Sequence, residues 1–139
     1  MILITGATGK LGRQVLAQLL EKVPARDVAV AVRDPKKAED LAAKGVDVRY
    51  ADYAKPETLS AAHAGVEKLL LISSSEVGQR APQHAAVIDA ATKAGVKLLA
   101  DTDVGITRGE LDDRSGEMHR LIGRATTPLA KVVASAVAR

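Results

Sequence analysis

The sequence contains no cysteine and almost no aromatic residues. Cys, Phe and Trp are absent from the 139 residues, and Tyr occurs twice, as Tyr50 and Tyr53. A disulfide framework and a cysteine-based metal site are therefore excluded. The core has to be built from Ala, Val, Leu and Ile, a composition typical of helices packed on a parallel sheet. The shortage of rings also removes a common device for stacking on a planar ligand.

Long hydrophobic runs and a strong charge imbalance are also missing. No apolar run approaches the roughly 20 residues that a membrane helix needs, and Met1 leads directly into an apolar run without a signal-peptide pattern. The net charge is +3, from 20 basic and 17 acidic residues that are scattered along the chain. We therefore expect a soluble cytoplasmic protein that binds neither membrane nor nucleic acid.

Metal-ligand spacing is missing as well. The three histidines, His63, His84 and His119, are dispersed and have no carboxylates at the spacing of a metal site. The sequence therefore predicts no metal centre.

Short apolar runs alternate with longer segments of helical character. The runs cover residues 2–4, 28–32, 46–48, 69–72 and 96–99. Continuous apolar strands are expected where both faces of a sheet are covered, and right-handed crossovers restrict how such strands are ordered. The pattern predicts an α/β fold, a Rossmann-like doubly wound parallel sheet of five strands in the order 3-2-1-4-5, with four helices between them.

Proline and glycine punctuate the predicted helices. In the first helix, Leu11, Val15 and Leu19 form one apolar stripe, with the spacing of a buried face. Asp34-Pro35 starts the second helix as an N-cap followed by proline at the first helical position. Starts near Pro56 and Pro82, and stops at Gly45, Gly65 and Gly95, mark the remaining boundaries.

The alternation stops after Leu99. A polar, turn-rich stretch opens at Asp101 and ends around Arg114, and two short helices follow, one over 115–122 and one from Thr127 to the C-terminus. We therefore divide the chain into a domain of residues 1–100 and a helical tail of residues 101–139.

The first strand leads into a glycine-rich turn. Gly6, Gly9 and Gly12 suit a dinucleotide site, in which one glycine makes the tight turn, one lets the backbone approach a pyrophosphate, and one packs the helix on the strand. The phosphates would lie on the N–H groups at the start of the following helix. A purely structural turn is the alternative. The predicted cofactor-binding residues here are Gly6, Ala7, Thr8, Gly9, Lys10, Leu11 and Gly12.

Arg33 follows the second strand, at the place where an acidic residue binds the ribose hydroxyls of NAD. A guanidinium there can pair with a 2′-phosphate instead, which favours NADP(H) over NAD(H). The alternative is that Asp34 supplies the acidic function, but Asp34 has a ready role as helix cap before Pro35. Lys10 and Lys36 would add positive potential nearby.

Further candidates follow the third and fourth strands. Asp52 and Tyr53 fall where such a domain contacts adenine, although a turn-forming Asp is an equal alternative. Ser73, Ser74 and Ser75 follow the fourth strand, at the carboxyl edge where ligands bind in this architecture. Their hydroxyls are candidates for cofactor contact, and a local backbone cap is the alternative. We interpret His84, in the first turn of the fourth helix, as a surface residue rather than a proton donor.

The residue pair of a common reductase mechanism is absent. Short-chain dehydrogenases use a Tyr as proton donor with a Lys four residues later to lower the pKa of the phenol. Position 54 is Ala and position 57 is Glu, so neither tyrosine has such a partner. No catalytic residue is assigned from the sequence.

The sequence resembles the NmrA-like, atypical short-chain dehydrogenase family, and in particular its NADPH-dependent quinone oxidoreductases. Residues 4–12, 32–35 and 51–53 carry the resemblance, and the longest specific run is KLLLISSSEVGQRAPQH at residues 68–84. The resemblance covers residues 1 to about 100 without interruption. Segments 103–105, 111–113 and 121–129 resemble the C-terminal end of the same family.

That resemblance implies a Rossmann cofactor domain, a smaller substrate domain, and hydride transfer from NADPH to a quinone without a Tyr–Lys pair. It assigns the phosphate loop to Gly6 through Gly12, the 2′-phosphate contact to Arg33, and the nicotinamide-side loop to Ser73 through Ser75. Family members are about twice as long, so the joint near residues 100–103 resembles an internal deletion of the later strands and most of the substrate domain.

These observations support more than one function. A quinone oxidoreductase with impaired activity is the first expectation, and a non-catalytic NADP(H)-binding redox sensor or a truncated scaffold is the alternative. Because a sheet that ends at its fifth strand exposes an edge, we also expect a homodimer or a larger homo-oligomer.

Overall fold

In the computed structural model, which describes residues 1–72 and 79–102, five parallel strands form one sheet. The strands are β1 (Ile2–Thr5), β2 (Val28–Val32), β3 (Asp47–Tyr50), β4 (Lys68–Ile72) and β5 (Leu98–Thr102). Their order across the sheet is β3-β2-β1-β4-β5, and every neighbouring pair is parallel. The predicted doubly wound topology is confirmed.

Four helices connect the strands. They are α1 (Lys10–Leu20), α2 (Glu39–Ala42), α3 (Pro56–Ala62) and α4 (Arg80–Lys93). Single 3-10 turns precede β2 at Ala25–Asp27 and α2 at Pro35–Ala38. The segment predicted as the second helix is therefore a 3-10 turn followed by one short α-helix.

Alternation along the strands divides the core between the two faces of the sheet. Leu3, Ala29 and Ala31 pack with residues of α3 and α4 on one face. Ile4 and Val30 pack with α1 and α2 on the other. All five β2 residues are buried, as expected for an inner strand covered on both faces.

Three sequence-based expectations differ from the structure. The strand predicted at 46–48 is Asp47–Tyr50, and the strand predicted at 96–99 continues to Thr102, into the stretch we expected to be turn-rich. Leu11, expected on the buried stripe of α1, is 42% exposed, because it lies in the first turn, beyond the end of the sheet. The two short helices predicted in the tail lie outside the described residues.

Within the described part of the chain, no helix is long and apolar enough to cross a membrane. The same residues contain no cluster of three or more His, Asp or Glu side chains that would hold a metal ion.

The end of α3 carries a fully buried histidine. The Nδ1 of His63 lies 2.7 Å from the carbonyl oxygen of Leu59, so Nδ1 carries the proton and donates it. Its Nε2 is buried and has no hydrogen-bond partner among the described residues. Burial lowers the pKa of His63, and the nearby Arg49 charge lowers it further.

This histidine is expected to make the fold sensitive to mild acid. An unfolded imidazole takes up a proton near pH 6.5, whereas folded His63 stays neutral to lower pH, so the free energy of unfolding falls as the pH drops below about 6.5. Urea unfolding between pH 7.5 and 5.5 should show a smaller loss in His63→Leu than in wild type. Equal losses would show that His63 does not titrate differently in the two states.

Candidate functional site: the carboxyl edge of the sheet

Backbone conformation and backbone hydrogen bonds define the turn between β1 and α1. Gly6 has φ +61°, a left-handed conformation that glycine adopts without a Cβ penalty. The N–H of Gly9 donates to the carbonyl oxygen of Gly6 at 3.0 Å, and Arg13 N–H donates to Gly9 at 3.0 Å, which starts the helix. The turn therefore lies at the carboxyl end of β1, beside β4, where the strand order reverses.

Gly12 allows α1 to pack directly on this turn. A Cβ atom at Gly12 would lie 2.3 Å from the Gly6 oxygen and 2.7 Å from the Ala7 Cα. At Gly6, a Cβ would lie 3.1 Å from the Cβ of Ile72, at the end of β4. At Gly9, it would meet one atom, at 3.3 Å. Gly12 therefore serves helix packing, as the glycine pattern predicts, while a Cβ at Gly9 would make one tight contact, with the Gly6 oxygen, at the surface of the turn.

The start of α1 is open to an anion. No side chain caps Gly9, and the first turn of this 11-residue helix contains no acidic residue. The backbone N–H groups of a helix start have no partner within the helix. Thr8, Gly9 and Lys10 are exposed here, while Ala7 is fully buried below them. The arrangement provides donors and positive potential at an exposed surface.

Arg33 follows the end of β2 and is exposed at the same edge of the sheet. The neighbouring Asp34 caps the 3-10 turn, since its Oδ1 accepts a hydrogen bond from the Lys36 N–H at 3.2 Å. Asp34 therefore has the cap role expected for it. Lys36 and Lys37 are also exposed and add positive charge.

The segment after Arg33 is fixed to α1. The Arg13 guanidinium donates to the Lys37 carbonyl oxygen at 2.7 Å and forms an ion pair with Asp40. The hydrogen bond from Arg13 lowers the pKa of the exposed Asp40 carboxyl. Because Arg13 belongs to α1, these contacts hold the Arg33 segment in register with the glycine turn.

Asp52 forms a turn after β3. Its Oδ1 accepts from the Ala54 N–H at 3.0 Å, and its own N–H donates to the Thr58 Oγ1 at 3.0 Å. Two roles were left open for Asp52, and these hydrogen bonds show the turn-forming one. A contact between Asp52 and adenine stays a prediction.

Tyr53 lies across the carboxyl edge of the sheet, packed on the α3–α4 face. Its phenol lies near the side chain of Thr5, the fully buried last residue of β1, whose Oγ1 accepts from the Ile72 N–H at 2.9 Å. Burial raises the pKa of the Tyr53 phenol and the Asp101 carboxylate raises it further, against opposing effects of the Thr5 hydroxyl and the Arg33 charge.

Replacing Tyr53 by phenylalanine should remove the polar interaction of the buried phenol with the Thr5 hydroxyl. We expect a loss of about 1 kcal/mol in the free energy of unfolding, measured with urea at pH 7. Tyr50, which is 43% exposed, provides the matched control, and Tyr50→Phe should change stability little. An alkaline absorbance titration of Tyr50→Phe, in which Tyr53 is the remaining tyrosine, should show ionisation above the ordinary pKa of 10. Ionisation below pH 10 would contradict this environment.

His84 and Asp101 form a second polar pair at this edge. The Nδ1 of His84, on α4, lies 3.5 Å from the Oδ2 of Asp101, on β5, and the two side chains are 11% and 15% exposed. His84 is buried, so our interpretation of it as a surface residue is wrong: it lies on the face of α4 that packs against the sheet. Neither Thr5 nor Asp101 was predicted as a site residue, although each is a polar residue directly after an apolar strand run.

The structure thus brings several of the predicted site residues to one edge. The glycine turn follows β1, Arg33 follows β2, and Asp52 and Tyr53 follow β3. Ser73, Ser74 and Ser75 lie outside the described residues.

Comparison with known proteins agrees with this geometry. Residues 6–134 match the NAD(P)H-binding family. The chain is 59% identical over 104 residues to quinone oxidoreductase 2 of Escherichia coli, which covers 75% of this chain and 36% of that protein. It is 36% identical over 124 residues to an NmrA-like oxidoreductase of Aspergillus flavus, covering 78% of this chain and 40% of that protein.

Solved structures show the same fold. The E. coli NADPH-dependent quinone oxidoreductase, crystallised with NADPH, superposes with a TM-score of 0.72 at 59% identity, over 74% of this chain and 36% of that one. The chain thus spans little more than a third of the length of these relatives. The matches confirm the resemblance to NmrA-like proteins. The chain belongs to the NAD(P)H-binding family.

Proposed function

We propose that this chain binds NADPH at the carboxyl edge of its sheet and transfers hydride from it to a quinone-type acceptor. The observation that carries the cofactor part is the glycine turn, where α1 packs so closely that a Cβ at Gly12 would lie 2.3 Å from the Gly6 oxygen, and where no side chain caps the helix start at Gly9. A pyrophosphate fits this combination of free backbone donors and close approach.

The preference for NADPH rests on Arg33. Its guanidinium follows β2 with Lys36 and Lys37 nearby, and the adjacent carboxylate of Asp34 is engaged in a cap. A 2′-phosphate would find a planar, charged partner there, whereas NADH lacks that phosphate and would gain no such contact.

We assign the cofactor to the residues predicted from the sequence. Gly6, Ala7, Thr8, Gly9, Lys10, Leu11 and Gly12 would hold the pyrophosphate, Arg33 the 2′-phosphate, and Asp52 and Tyr53 would border the adenine side. Ser73, Ser74 and Ser75 would border the nicotinamide. Tyr53 is directed toward Thr5, so its contribution on this account is to support the floor of the site.

A quinone as acceptor is supported by the relatives named quinone oxidoreductase. Because the chain spans about a third of those proteins, a non-catalytic NADP(H)-binding protein is the second candidate. The internal deletion near residues 100–103 and a homodimer that completes the acceptor pocket stay predictions that accompany the proposal.

Two measurements separate these functions. The intact chain is mixed with NADPH, and absorbance at 340 nm is followed with and without 1,4-benzoquinone, while nucleotide binding is measured in parallel. Quinone-dependent oxidation that saturates with NADPH supports the reductase. Saturable NADPH binding without oxidation supports the non-catalytic candidate, and the absence of both contradicts the proposal as a whole.

A further inference from the structure

A polar cluster lies beneath the proposed site, on the α3–α4 face of the sheet. Thr5 lies two residues after Leu3 in β1, and Asp101 lies two residues after Leu99 in β5. Side chains two residues apart in a strand lie on the same face of the sheet, and both leucines pack on the α3–α4 face. Tyr53 packs there as well, and His84 reaches it from α4. Because side chains alternate between the two faces along a strand, this layer has four polar residues at one end and is otherwise apolar. They are Thr5, Tyr53, His84 and Asp101.

The sheet register places this cluster at the carboxyl edge. Asp101 is paired with Leu71, one residue before the end of β4, and Ile72 at that end bonds to Thr5. The His84–Asp101 pair thus lies on the β4–β5 side of the glycine turn, away from Arg33 on the β2 side. In a doubly wound fold, a dinucleotide spans this edge, with its two halves on opposite sides of the switch point.

The proposed reduction needs a proton at this place. Hydride transfer from NADPH to a quinone leaves an oxygen anion on the ring, and one proton completes the hydroquinone. The usual Tyr–Lys donor is absent, since positions 54 and 57 are Ala and Glu. An imidazole is suited to the task because it gains and loses a proton near neutral pH, and a carboxylate on its Nδ1 side orients the ring and stabilises its charged form.

We propose that His84, oriented by Asp101 at 3.5 Å, donates the proton to the acceptor oxygen as the hydride is transferred. The inference rests on the proposed reductase function. The hydride and its electron pair move from NADPH to the quinone, giving NADP⁺. As negative charge develops on the quinone oxygen, the Nε2–H bond of the His84 imidazolium breaks and a new O–H bond forms, which gives the hydroquinone. The neutral imidazole is then reprotonated from solvent.

A buried His84–Asp101 pair suits this role better than an exposed ion pair would. A largely buried carboxylate strengthens its hold on a neighbouring imidazolium, because water screens the interaction less. The 3.5 Å separation is longer than a hydrogen bond, and catalytic contacts of this length often shorten once substrate is bound. Asp101 is a positioning residue on this account, and His84 is the group that reaches the acceptor.

The test is single-turnover oxidation of NADPH by 1,4-benzoquinone over pH 5.5–9, in wild type, His84→Gln and Asp101→Asn. Wild type should slow on the alkaline side, where the imidazole loses its proton. His84→Gln should be about 100-fold slower and lose this alkaline limb. Asp101→Asn should keep the limb but move it to lower pH. Asp89→Asn, an exposed carboxylate on the same helix, is the matched control and should behave as wild type.

Two further readouts distinguish loss of the proton donor from structural damage. Calorimetric NADPH affinity should be unchanged in the His84 and Asp101 variants, and added imidazole should restore part of the rate in His84→Ala. Wild-type rates and pH profile in His84→Gln would overturn the inference while leaving the reductase proposal intact. A wild-type chain that binds NADPH but shows no quinone-dependent oxidation would overturn both the reductase proposal and this inference.

Discussion

Replacing Gly12 by alanine is expected to destabilise the fold by about 3 kcal/mol, which is a large share of the stability of a small domain. The added Cβ would lie 2.3 Å from the Gly6 oxygen and 2.7 Å from the Ala7 Cα. Both atoms belong to the backbone of a tight turn, so neither can rotate away. The loss should appear even though alanine favours a helix interior by about 1 kcal/mol over glycine.

Two other glycines make the matched controls. A Cβ at Gly9 would lie 3.3 Å from the Gly6 oxygen, a tight contact but not a severe clash, so Gly9→Ala should cost much less stability than Gly12→Ala but should weaken NADPH binding at the surface of the turn. Gly65 has φ +70°, and a Cβ at this position would have no atom within 4 Å. Gly65→Ala should therefore cost only backbone strain, about 1 kcal/mol. Urea unfolding of the three variants gives the comparison, and equal losses at Gly12 and Gly65 would contradict the close packing described here.

Replacing Arg33 by alanine should weaken NADPH binding about 10- to 100-fold and leave NADH binding nearly unchanged. A charge-assisted hydrogen bond to a phosphate contributes roughly 1.5–3 kcal/mol, and NADH lacks that phosphate. Titration of the bound nucleotide by its fluorescence measures both affinities. The effect should shrink as salt is raised, because Arg33 is exposed.

Arg26 is a suitable control for this substitution. It is also exposed, but it precedes β2 and therefore lies at the opposite end of that strand from Arg33. Arg26→Ala removes the same charge and should not change the ratio of the two affinities. If the NADPH affinity falls equally in both variants, the preference comes from net charge and not from a contact at Arg33.

The fold was predictable because its signals are local. The apolar runs at β1, β2 and β4 are short and continuous, and Asp34-Pro35 marks the following turn by a cap that forms within four residues. The glycine turn was found for the same reason, since its spacing between a strand and a helix is visible in a dozen residues.

The rest of the site depends on which strands are neighbours. Asp101 follows an apolar run and resembles the start of a loop, but pairing with Leu71 in β4 extends β5 through it. His84 was taken for a surface residue because its first-turn position gives no information about what packs on that face. Its partner is 17 residues away in sequence and becomes a neighbour through the β4–β5 pairing, which no local pattern reveals.

The central claim is that the glycine turn of this chain is a working NADPH site. Its most direct test is a calorimetric titration of the purified, folded chain with NADPH. We predict saturable binding with one nucleotide per chain, abolished or strongly weakened in Gly9→Ala. A titration with no saturable heat, for a chain whose circular dichroism shows the α/β fold intact, would contradict the claim.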